Sequence, residues 1–374
     1  MENFSFSYAI FACEHGLTAK SMSAKELSKK PSKSVVATFT SILLRWYGEN
    51  GRSLPWRDVT DPYPIWLSEV ILQQTRIQQG WSYWERFMQR WPTVKQLADA
   101  TEDEVLRLWQ GLGYYSRARH LHAAAKQIVS LGGFPTDYAS IRKLQGVGEY
   151  TAAAISSFAF GEPVAVVDGN VYRVLSRVFG IDTPINTSEG KKTFAALANQ
   201  LLPKDKPAAY NQAMMDFGAM QCTPKSPDCE TCPILEMCDA YHSHRIDTLP
   251  VKLRKMNIKT RYFNYVLLRC EGKIAIRRRP AGDIWQGLWE PFLLETQVKA
   301  GVEIVLEHCA GWGTLTLLKE GVKHVLTHRV IFADFYLLET SLPPSLPSDY
   351  VWVDLTSYDD YAKPRLIEIL MNAM

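Results

Sequence analysis

The sequence predicts a mainly α-helical N-terminal region followed by a smaller α/β domain. Apolar residues recur at three- and four-residue intervals through most of residues 35–241, a pattern typical of packed helices. Beyond about residue 260 the apolar period changes to two, which indicates strands. The length of 374 residues is enough for about two or three domains.

The helical region divides into separate segments. The first helix is predicted from Val35 and ends at Gly48, before the turn-rich segment NGRSLPW. Further helical patterns follow at residues 62–79, 82–90, 103–109, 116–131, 149–160, 170–179, 189–202 and 209–220.

The C-terminal domain is predicted from five strand-like segments and a closing helix. The strands are YFNYVLLR, KIAIRRR, GTLTLLK, HRVIFADFYLLE and YVWVDL, and the helix is KPRLIEILMNAM. A linker at residues 246–259 precedes them, and five basic residues with no acidic one lie between positions 251 and 261. This segment either lies along phosphates or is a plain solvated tether.

Composition excludes several classes of protein. The chain is 47% hydrophobic and 22% charged with a net charge of +3, and its apolar runs fall far short of the roughly 18 residues of a membrane span. The N-terminus carries no secretory signal, so we expect a bacterial-type cytoplasmic location without membrane attachment. Residues 1–34 are expected to form a disordered leader, and Met22 is a candidate physiological start.

Four of the seven cysteines lie in CTPKSPDCETCPILEMC, residues 222–238, with the spacing C-x6-C-x2-C-x5-C. Disulfides conflict with a reducing cytosol, and structural zinc sites favour two closely spaced ligand pairs. Only one C-x2-C pair occurs here, so a [4Fe-4S] cluster, which takes four thiolates, is favoured over the alternative of zinc. The candidate metal ligands are Cys222, Cys229, Cys232 and Cys238.

Two carboxylates occupy positions that suit bond cleavage. Glu69 lies in the apolar stripe of the segment DPYPIWLSEVILQQT, where burial is expected to raise its pKa and favour a general acid. Asp168 lies where a helix cap is expected, and the helix N-terminus is expected to lower its pKa. Glycosidic bond cleavage uses such a pair, although a surface glutamate and a purely structural cap are the alternatives.

Two further features are weak when taken singly. Gly146 and Gly148 in LQGVGEYTAAAI predict a tight hairpin between helices. The N–H groups of this hairpin are able to bind phosphate. The alternative is a helix–helix turn that needs glycine only for its geometry. The segment GLGYYSRARHLH mixes tyrosines with basic residues, as expected where side chains wedge into a base stack.

These motifs together resemble a known family. LPWR, WLSEVILQQT, GLGYYSRARHLH, LQGVGEYTAAAI, VVDGNV, NQAMMDFGAMQC and the cysteine run occur in the order typical of the adenine DNA glycosylase (MutY) family of the helix-hairpin-helix superfamily. The resemblance covers roughly residues 35–374. It implies a monomeric, monofunctional enzyme that binds double-stranded DNA and excises adenine opposite 8-oxoguanine or guanine. Replication and repair proteins are candidate partners.

The resemblance also implies roles for individual residues. Glu69 matches the catalytic acid, Asp168 matches the carboxylate at the sugar C1′, and Tyr150 and Asn170 match their polar neighbours. The other implied site residues are Arg57 and Gln212 in the adenine pocket, Gln74 and Tyr114 in the base stack, Gly146 and Gly148 on the backbone of DNA, Thr327 and His328 on the lesion, and the four cysteines on a [4Fe-4S] cluster.

The same resemblance implies the domain plan. Residues 35–60 with 165–245 would form the iron-sulfur subdomain, residues 61–164 the six-helix-type subdomain with the helix-hairpin-helix, and residues 260–374 a Nudix-like domain. That domain lacks the metal-binding glutamate pattern of Nudix hydrolases, so we expect it to bind the lesion rather than hydrolyse nucleotides. Its lesion-reading loop would be Leu326-Thr327-His328, in which leucine replaces the aromatic residue of the family.

One near alternative and two alternatives from other functional classes remain. An endonuclease III-like bifunctional glycosylase would need a lysine at position 150 for Schiff-base chemistry, and tyrosine stands there. A non-catalytic lesion-binding protein would use the same surfaces. An active Nudix pyrophosphohydrolase fused to a DNA-binding body would need the missing metal-binding pattern.

Overall fold

A computed structural model describes residues 31–253 and 258–374. Most of the expected leader, including Met22, and part of the basic linker lie outside the described residues. Backbone contacts divide the chain into two compact units, Met1–Ser53 with Pro163–Leu253 and Leu54–Glu162 with Arg254–Met374. We refer to them as the first and second units. The predicted modules at 61–164 and 260–374 both fall within the second unit, apart from residues 163 and 164.

The first unit is a helical body. Its first helix begins two residues earlier than predicted, because the Ser32 side chain accepts a hydrogen bond from the Val35 N–H and caps it. The helix also continues past Gly48 to Asn50. Its α-helices are α1 Lys33–Asn50, α9 Gly169–Val178, α10 Ser188–Leu201, α11 Pro207–Asp216 and α12 Asp239–His242. A π-helical turn at Phe217–Gln221 follows α11, and a 3-10 turn spans Leu235–Met237.

The core of the first unit lies between α1, α9, α10 and α11. Phe39 and Leu43 of α1 pack against Val174 of α9, Phe194 of α10 and Phe217, and all five side chains are buried. The same core is bordered by Cys222 and Cys232. The cysteine loop is therefore attached directly to the packed helices.

The second unit begins with a second set of helices. They are α2 Pro62–Ile71, α3 Ile77–Arg90, α4 Val94–Asp99, α5 Glu102–Trp109, α6 Ser116–Ser130, α7 Tyr138–Ile141 and α8 Glu149–Phe160. Trp66 of α2, Phe87 of α3, Trp109 of α5 and Ile155 of α8 share one core and are fully buried. Burial extends over Tyr63 to Ile71, so α2 is an interior helix rather than the one-sided amphipathic helix that we expected.

The single helix predicted over residues 62–79 is wrong, because two helices meet there. Gln74 lies between α2 and α3 and has a positive φ of 57°, a left-handed conformation that no α-helix contains. No glycine or proline lies between residues 65 and 79 to mark this break, so the usual turn signals could not reveal it.

The remainder of the second unit is a mixed seven-stranded sheet. The strands are β1 Lys259–Cys270, β2 Lys273–Arg278, β3 Trp289–Glu290, β4 Phe292–Thr296, β5 Thr314–Leu326, β6 Arg329–Thr340 and β7 Tyr350–Asp354. The sheet order is β3-β2-β1-β6-β5, with β4 paired to β1 and β7 paired to β2. Only β1 and β6 pair in parallel; the other pairs of the described strands are antiparallel.

Helices cover both faces of this sheet. Phe263 and Phe335 pack on one face with Leu366 of helix α14, Arg365–Met371, while Val266 and Tyr336 pack on the other face with helix α13, Val302–His308. The five predicted strands and the closing helix correspond to β1, β2, β5, β6, β7 and α14. The short strands β3 and β4 were not predicted.

Within the described residues, no helix combines the length and the apolar character that a membrane crossing requires.

Candidate active site and cluster loop

Glu69 and Tyr150 are brought together in the second unit. Glu69 lies on the interior helix α2 and is 7% exposed, while Tyr150 is the second residue of α8. The Tyr150 hydroxyl donates a hydrogen bond to Oε2 of Glu69 at 2.7 Å. One turn further along, the Gln73 amide donates to the Thr151 hydroxyl at 3.1 Å and joins the same two elements. A buried carboxylate is thus held in one orientation by a neutral hydroxyl.

Asp168 caps helix α9 in the first unit, as its sequence position predicted. Its Oδ1 accepts a hydrogen bond from the Val171 N–H at 2.8 Å, and its Oδ2 accepts one from the Asn170 amide at 2.8 Å. The expected direction of its pKa shift is wrong. Burial raises the pKa of Asp168 above its ordinary value by more than these hydrogen bonds and Arg173 lower it.

Asn170 and Arg173 extend this cap into a hydrogen-bond chain. The Arg173 guanidinium donates to Oδ1 of Asn170 at 2.8 Å, to the Gly218 carbonyl at 2.6 Å and to the Cys222 carbonyl at 2.7 Å. Because its oxygen is engaged by Arg173, the Asn170 side chain presents its amide N–H to Asp168. One helix face therefore connects the carboxylate to the first cysteine.

The four cysteines line one cavity together with Arg177, Phe217 and Ile234. In the described part of the chain all six cysteines are free thiols, and no three His, Cys, Asp or Glu side chains are placed to hold a single metal ion. Four thiols around one cavity supply the four thiolates that a [4Fe-4S] cluster takes.

Arg177 holds the cysteine loop from inside the first unit. It is 2% exposed, and its guanidinium donates to Sγ of Cys222 at 3.4 Å and to the Thr223 carbonyl at 2.8 Å. Its Nε donates to the Ile246 carbonyl at 3.1 Å. A buried cation beside the thiols suits a site whose ligands bind as thiolates.

The side chains expected to enter the base stack share an unusual backbone conformation. Gln74 and Tyr114 have φ angles of 57° and 47° and are not glycines. Tyr114 is 49% exposed, and its hydroxyl lies 2.7 Å from the hydroxyl of Thr327. Strained, exposed residues of this kind occur at functional sites. The contact brings the predicted stack residue and the predicted lesion loop together.

The rest of the predicted lesion loop lies at the turn between β5 and β6, where Leu326 is half-buried at the end of β5. His328 is exposed and its carbonyl accepts a hydrogen bond from the Lys259 N–H at 3.1 Å. His324 is half-buried on β5, with its ring centroid 5.6 Å from that of Trp285. Burial lowers the pKa of His324 below its ordinary value.

Sequence reasoning placed Arg117 among the basic residues of GLGYYSRARHLH but did not predict that it links the two strained loops. Its guanidinium donates to the carbonyls of Val70 and Ile71 at 2.9 Å each and to that of Gln73 at 2.6 Å. The same group lies 5.5 Å from the centroid of the Tyr114 ring. No local sequence pattern predicts these partners, because they are carbonyls at the end of a helix more than 40 positions away.

The predicted hairpin has the expected glycine geometry. Gly146 has a φ of 74°, and an added Cβ would lie 2.5 Å from Cβ of His120. Gly148 is the N-cap of α8, where no side chain bonds to the first N–H groups. Since no side chain caps them, the first N–H groups of α8 are available to bind an anion, as at other helix N-termini.

The two predicted adenine-pocket residues belong to different units. Gln212 lies on α11 in the first unit, and its Oε1 accepts a hydrogen bond from the Tyr47 hydroxyl at 2.7 Å. Arg57 lies in the second unit, where it is half-buried in the turn before α2 and its N–H donates to the Leu54 carbonyl at 2.9 Å.

Family models match three parts of the chain. Residues 67–200 match the HhH-GPD superfamily of base excision DNA repair proteins, residues 222–238 match the iron-sulfur binding domain of endonuclease III, and residues 264–373 match the NUDIX domain. The cysteine loop is accordingly an iron-sulfur site, and its cofactor is a [4Fe-4S] cluster.

Similarity to a known protein shows which family this chain belongs to. An adenine DNA glycosylase of Buchnera aphidicola subsp. Schizaphis graminum is 32% identical over 90% of this chain and 99% of its own length. The chain belongs to the adenine DNA glycosylase family.

Family members from plants and animals are longer. The Arabidopsis thaliana adenine DNA glycosylase is 35% identical over 66% of this chain, and the Homo sapiens protein is 44% identical over 55%. The chain spans 46% and 40% of these two relatives, less than half of either.

Solved structures support the helical fold. A thermostable thymine-DNA glycosylase has a TM-score of 0.52 and 31% identity, and covers 56% of this chain and 97% of its own. A trapped endonuclease III–DNA covalent intermediate has a TM-score of 0.50 and 22% identity, and covers 57% of this chain and 99% of its own.

Proposed function

We propose that this chain excises adenine from double-stranded DNA, opposite 8-oxoguanine or guanine, by cleaving the N-glycosidic bond. The observation that carries the proposal is the buried Glu69 carboxylate, which is oriented by the Tyr150 hydroxyl at 2.7 Å. Membership of the adenine DNA glycosylase family supports the same activity.

In the proposed reaction Glu69 acts as the general acid. It delivers a proton to N7 of the extruded adenine, the C1′–N9 bond breaks, and the bonding electron pair leaves with the base. Protonation lets adenine depart as a neutral molecule, which lowers the barrier because adenine anion is a poor leaving group. Burial on α2 keeps bulk water from competing for that proton.

Asp168 meets the positive charge that develops on the sugar. Its carboxylate stabilises the oxocarbenium ion and then forms a bond to C1′, and water displaces it while the Glu69 carboxylate takes the proton of that water. The Val171 N–H and the Asn170 amide hold both oxygens of Asp168 in place for this step. The product is an abasic site with an intact strand.

Tyr150 favours base removal without strand cleavage. A bifunctional lyase needs an amine that forms an imine with the sugar C1′, whereas a phenol hydroxyl forms none. Here that hydroxyl is engaged with Glu69, so it orients the acid instead of attacking the sugar.

The cluster has a structural part in this proposal. Cys222, Cys229, Cys232 and Cys238 would hold the cluster as its four thiolate ligands and would thereby tie the loop of the first unit together. Arg173 and Arg177 fasten that loop to α9, the helix that Asp168 caps. The chain's own residues thus keep the carboxylate and the cluster loop on one rigid element.

The lesion-reading surface lies in the second unit. Tyr114, Gln74, Thr327 and His328 are proposed to contact the base opposite adenine, and the contact between the Tyr114 and Thr327 hydroxyls supports a shared site. The α/β domain is proposed to bind and not to hydrolyse nucleotides.

A mismatch panel tests the proposal. Duplexes that carry adenine opposite 8-oxoguanine, guanine or thymine are incubated with cluster-loaded protein and then treated with alkali. We expect strand breaks at adenine opposite 8-oxoguanine and guanine, few opposite thymine, and none before alkali. Absence of breaks in all three duplexes would refute the activity, and breaks before alkali would refute monofunctional chemistry.

A further inference from the structure

The loop between β2 and β3, residues 279–288, contains a tryptophan in an unfavourable backbone conformation. Trp285 has a φ of 58°, in the left-handed region where residues with a large side chain are rare. Gly282 and Gly287 of the same loop also have positive φ angles, but glycine adopts them without strain. A strained residue persists only where its surroundings fix it, so the contacts around Trp285 must stabilise this conformation.

One side of this loop packs on the helices of the second unit. Leu288 is fully buried in the helical core around Trp109, and the Trp285 ring packs against the same core. A Cβ added at Gly287 would lie 3.3 Å from Cδ1 of Leu106 on α5. The β2–β3 loop is therefore inserted against the helices.

Two arginines bind this loop to the same helices. The Arg119 guanidinium, on α6, donates to the Gln286 carbonyl at 2.6 Å. Arg278, at the end of β2, donates to Oε1 of Glu102 on α5 at 2.9 Å. The backbone next to Trp285 is thus attached directly to α6.

The other contacts of the Trp285 ring are with the sheet. Its centroid lies 5.6 Å from that of His324 on β5 and 6.4 Å from that of Phe263 on β1, and both pairs are edge-on. His324 is three positions before Thr327, whose hydroxyl lies 2.7 Å from that of Tyr114. The ring therefore contacts β5 just before the β5–β6 turn.

These contacts form a closed path. Tyr114 lies two positions before α6, and Arg119 lies in the first turn of that helix. From Tyr114 the path runs through Thr327 and β5 to the Trp285 ring. It returns from the Gln286 carbonyl through Arg119 to α6. The position of Thr327 relative to Tyr114 is therefore fixed twice, by their own contact and by Trp285.

We propose that Trp285 is a positioning residue that holds Thr327 against Tyr114 and so sets the preference for the base opposite adenine. This inference rests on the proposed function, in which Tyr114 and Thr327 contact that base. Trp285 acts through His324 and the end of β5, not by contact with the DNA. Removing the ring should loosen the β5–β6 turn while leaving Glu69 and its hydrogen bond in place.

The first measurement is adenine release by cluster-loaded full-length protein at subsaturating enzyme, opposite 8-oxoguanine and opposite guanine. Trp285→Leu keeps an apolar side chain and removes the ring. We expect the ratio of the two rates, 8-oxoguanine over guanine, to fall by roughly three- to tenfold, because one or two aromatic contacts are lost. Trp285→Phe keeps an aromatic ring and should restore part of the ratio. Trp352→Leu, at a half-buried tryptophan on the opposite face of the sheet, is the matched control and should leave the ratio unchanged.

The second measurement needs no catalysis. Hydrogen–deuterium exchange of the DNA-free protein is compared between Trp285→Leu and the unsubstituted chain. We expect faster amide exchange in the β5–β6 turn and in residues 111–116, and unchanged exchange in α13 on the other face of the sheet. Arg119→Met breaks the same path at its other link and should have the same effect. The double variant should then add little to either single variant, because both remove one support.

The outcomes separate this role from the proposed function. An unchanged ratio in folded Trp285→Leu, with normal adenine release, would overturn the role of Trp285 alone, even if the unfolding temperature falls. Unchanged exchange at the β5–β6 turn would contradict action through β5. If Trp285→Leu does not fold, Trp285→Phe and Arg119→Met decide by the same two readouts. No adenine release by the unsubstituted chain would instead refute the proposed function.

Discussion

Oε2 of Glu69 accepts a hydrogen bond from the hydroxyl of Tyr150 at 2.7 Å, between residues that are 81 positions apart in the sequence. The bond joins the interior helix α2 to the start of α8, directly after the glycine hairpin. Folding therefore couples the hairpin that is expected to bind DNA to the orientation of the acid.

Tyr150→Phe tests this coupling. The variant keeps the ring and removes only the donor, so a buried oxygen of Glu69 loses that hydrogen bond, which costs roughly 1–3 kcal/mol. We expect adenine release under single-turnover conditions to slow by roughly 10- to 100-fold, with duplex affinity unchanged. Tyr241→Phe, at an exposed tyrosine, is the control. A rate equal to that of the unsubstituted chain would show that the hydroxyl does not orient the acid.

The pH dependence of excision reports on Asp168. This carboxylate must be anionic to stabilise the sugar cation, and burial raises its pKa, so activity is lost as the pH falls through that pKa. The Asn170 amide favours the anion. Asn170→Ala should therefore raise the pKa further and move the acid limb of the rate profile to higher pH by roughly 0.5–1 unit.

The control for this profile is Asn186→Ala, because Asn186 is an exposed asparagine that bonds to the Leu253 backbone in the same unit. Its acid limb should coincide with that of the unsubstituted chain. A shift of the Asn170→Ala profile to lower pH would contradict the assigned hydrogen bond.

Arg177→Ala tests how the cluster loop is held. The substitution leaves the carbonyls of Thr223 and Ile246 without their buried donor, so the loop should lose its attachment to α9. We expect fewer irons per purified chain, weaker visible absorbance, and an unfolding temperature lower by several degrees.

Arg142→Ala, which removes an exposed ion pair with Glu149, is the matched control for iron content. A complete complement of four irons in Arg177→Ala at the original unfolding temperature would rule out the holding role. A colourless unsubstituted protein with one zinc would contradict the cluster itself.

Arg117 is expected to position the residues that enter the base stack. Arg117→Met removes its bonds to the end of α2 and its contact with Tyr114, so both strained loops should relax. We predict that affinity for a duplex with adenine opposite 8-oxoguanine falls by about tenfold or more. The rate of adenine release at saturating enzyme should change less. A 2-aminopurine placed beside the lesion should report weaker unstacking.

Arg117→Lys keeps the charge but not the planar fork, so partial rescue is expected. Arg86→Ala, at an exposed arginine over Tyr83, is the control. Loss of thermal stability with normal discrimination between opposite bases would assign Arg117 a structural role only.

Much of the fold followed from local signals. The cap at Asp168, the glycine hairpin and the change from helical to strand period are all encoded within a few residues. The cysteine spacing likewise indicated the cluster that the family model confirms.

The remaining features depend on contacts that no local pattern encodes. The break at Gln74 is marked by no glycine or proline, and β3 and β4 are too short to display a period. The raised pKa of Asp168 comes from burial by distant segments, which outweighs the local cap that favoured a lower value. The role of Arg117 depends on carbonyls of another helix, so its residue type alone gave no indication.

The measurement that tests the central claim most directly is single-turnover adenine release from a duplex with adenine opposite 8-oxoguanine, by Glu69→Gln beside Glu149→Gln. Glu149 is an exposed acid at the start of α8, next to Tyr150, so it controls for the loss of one carboxylate. The account predicts that Glu69→Gln binds the duplex and releases no adenine, while Glu149→Gln retains activity. Adenine release by Glu69→Gln at the rate of the unsubstituted chain would contradict it.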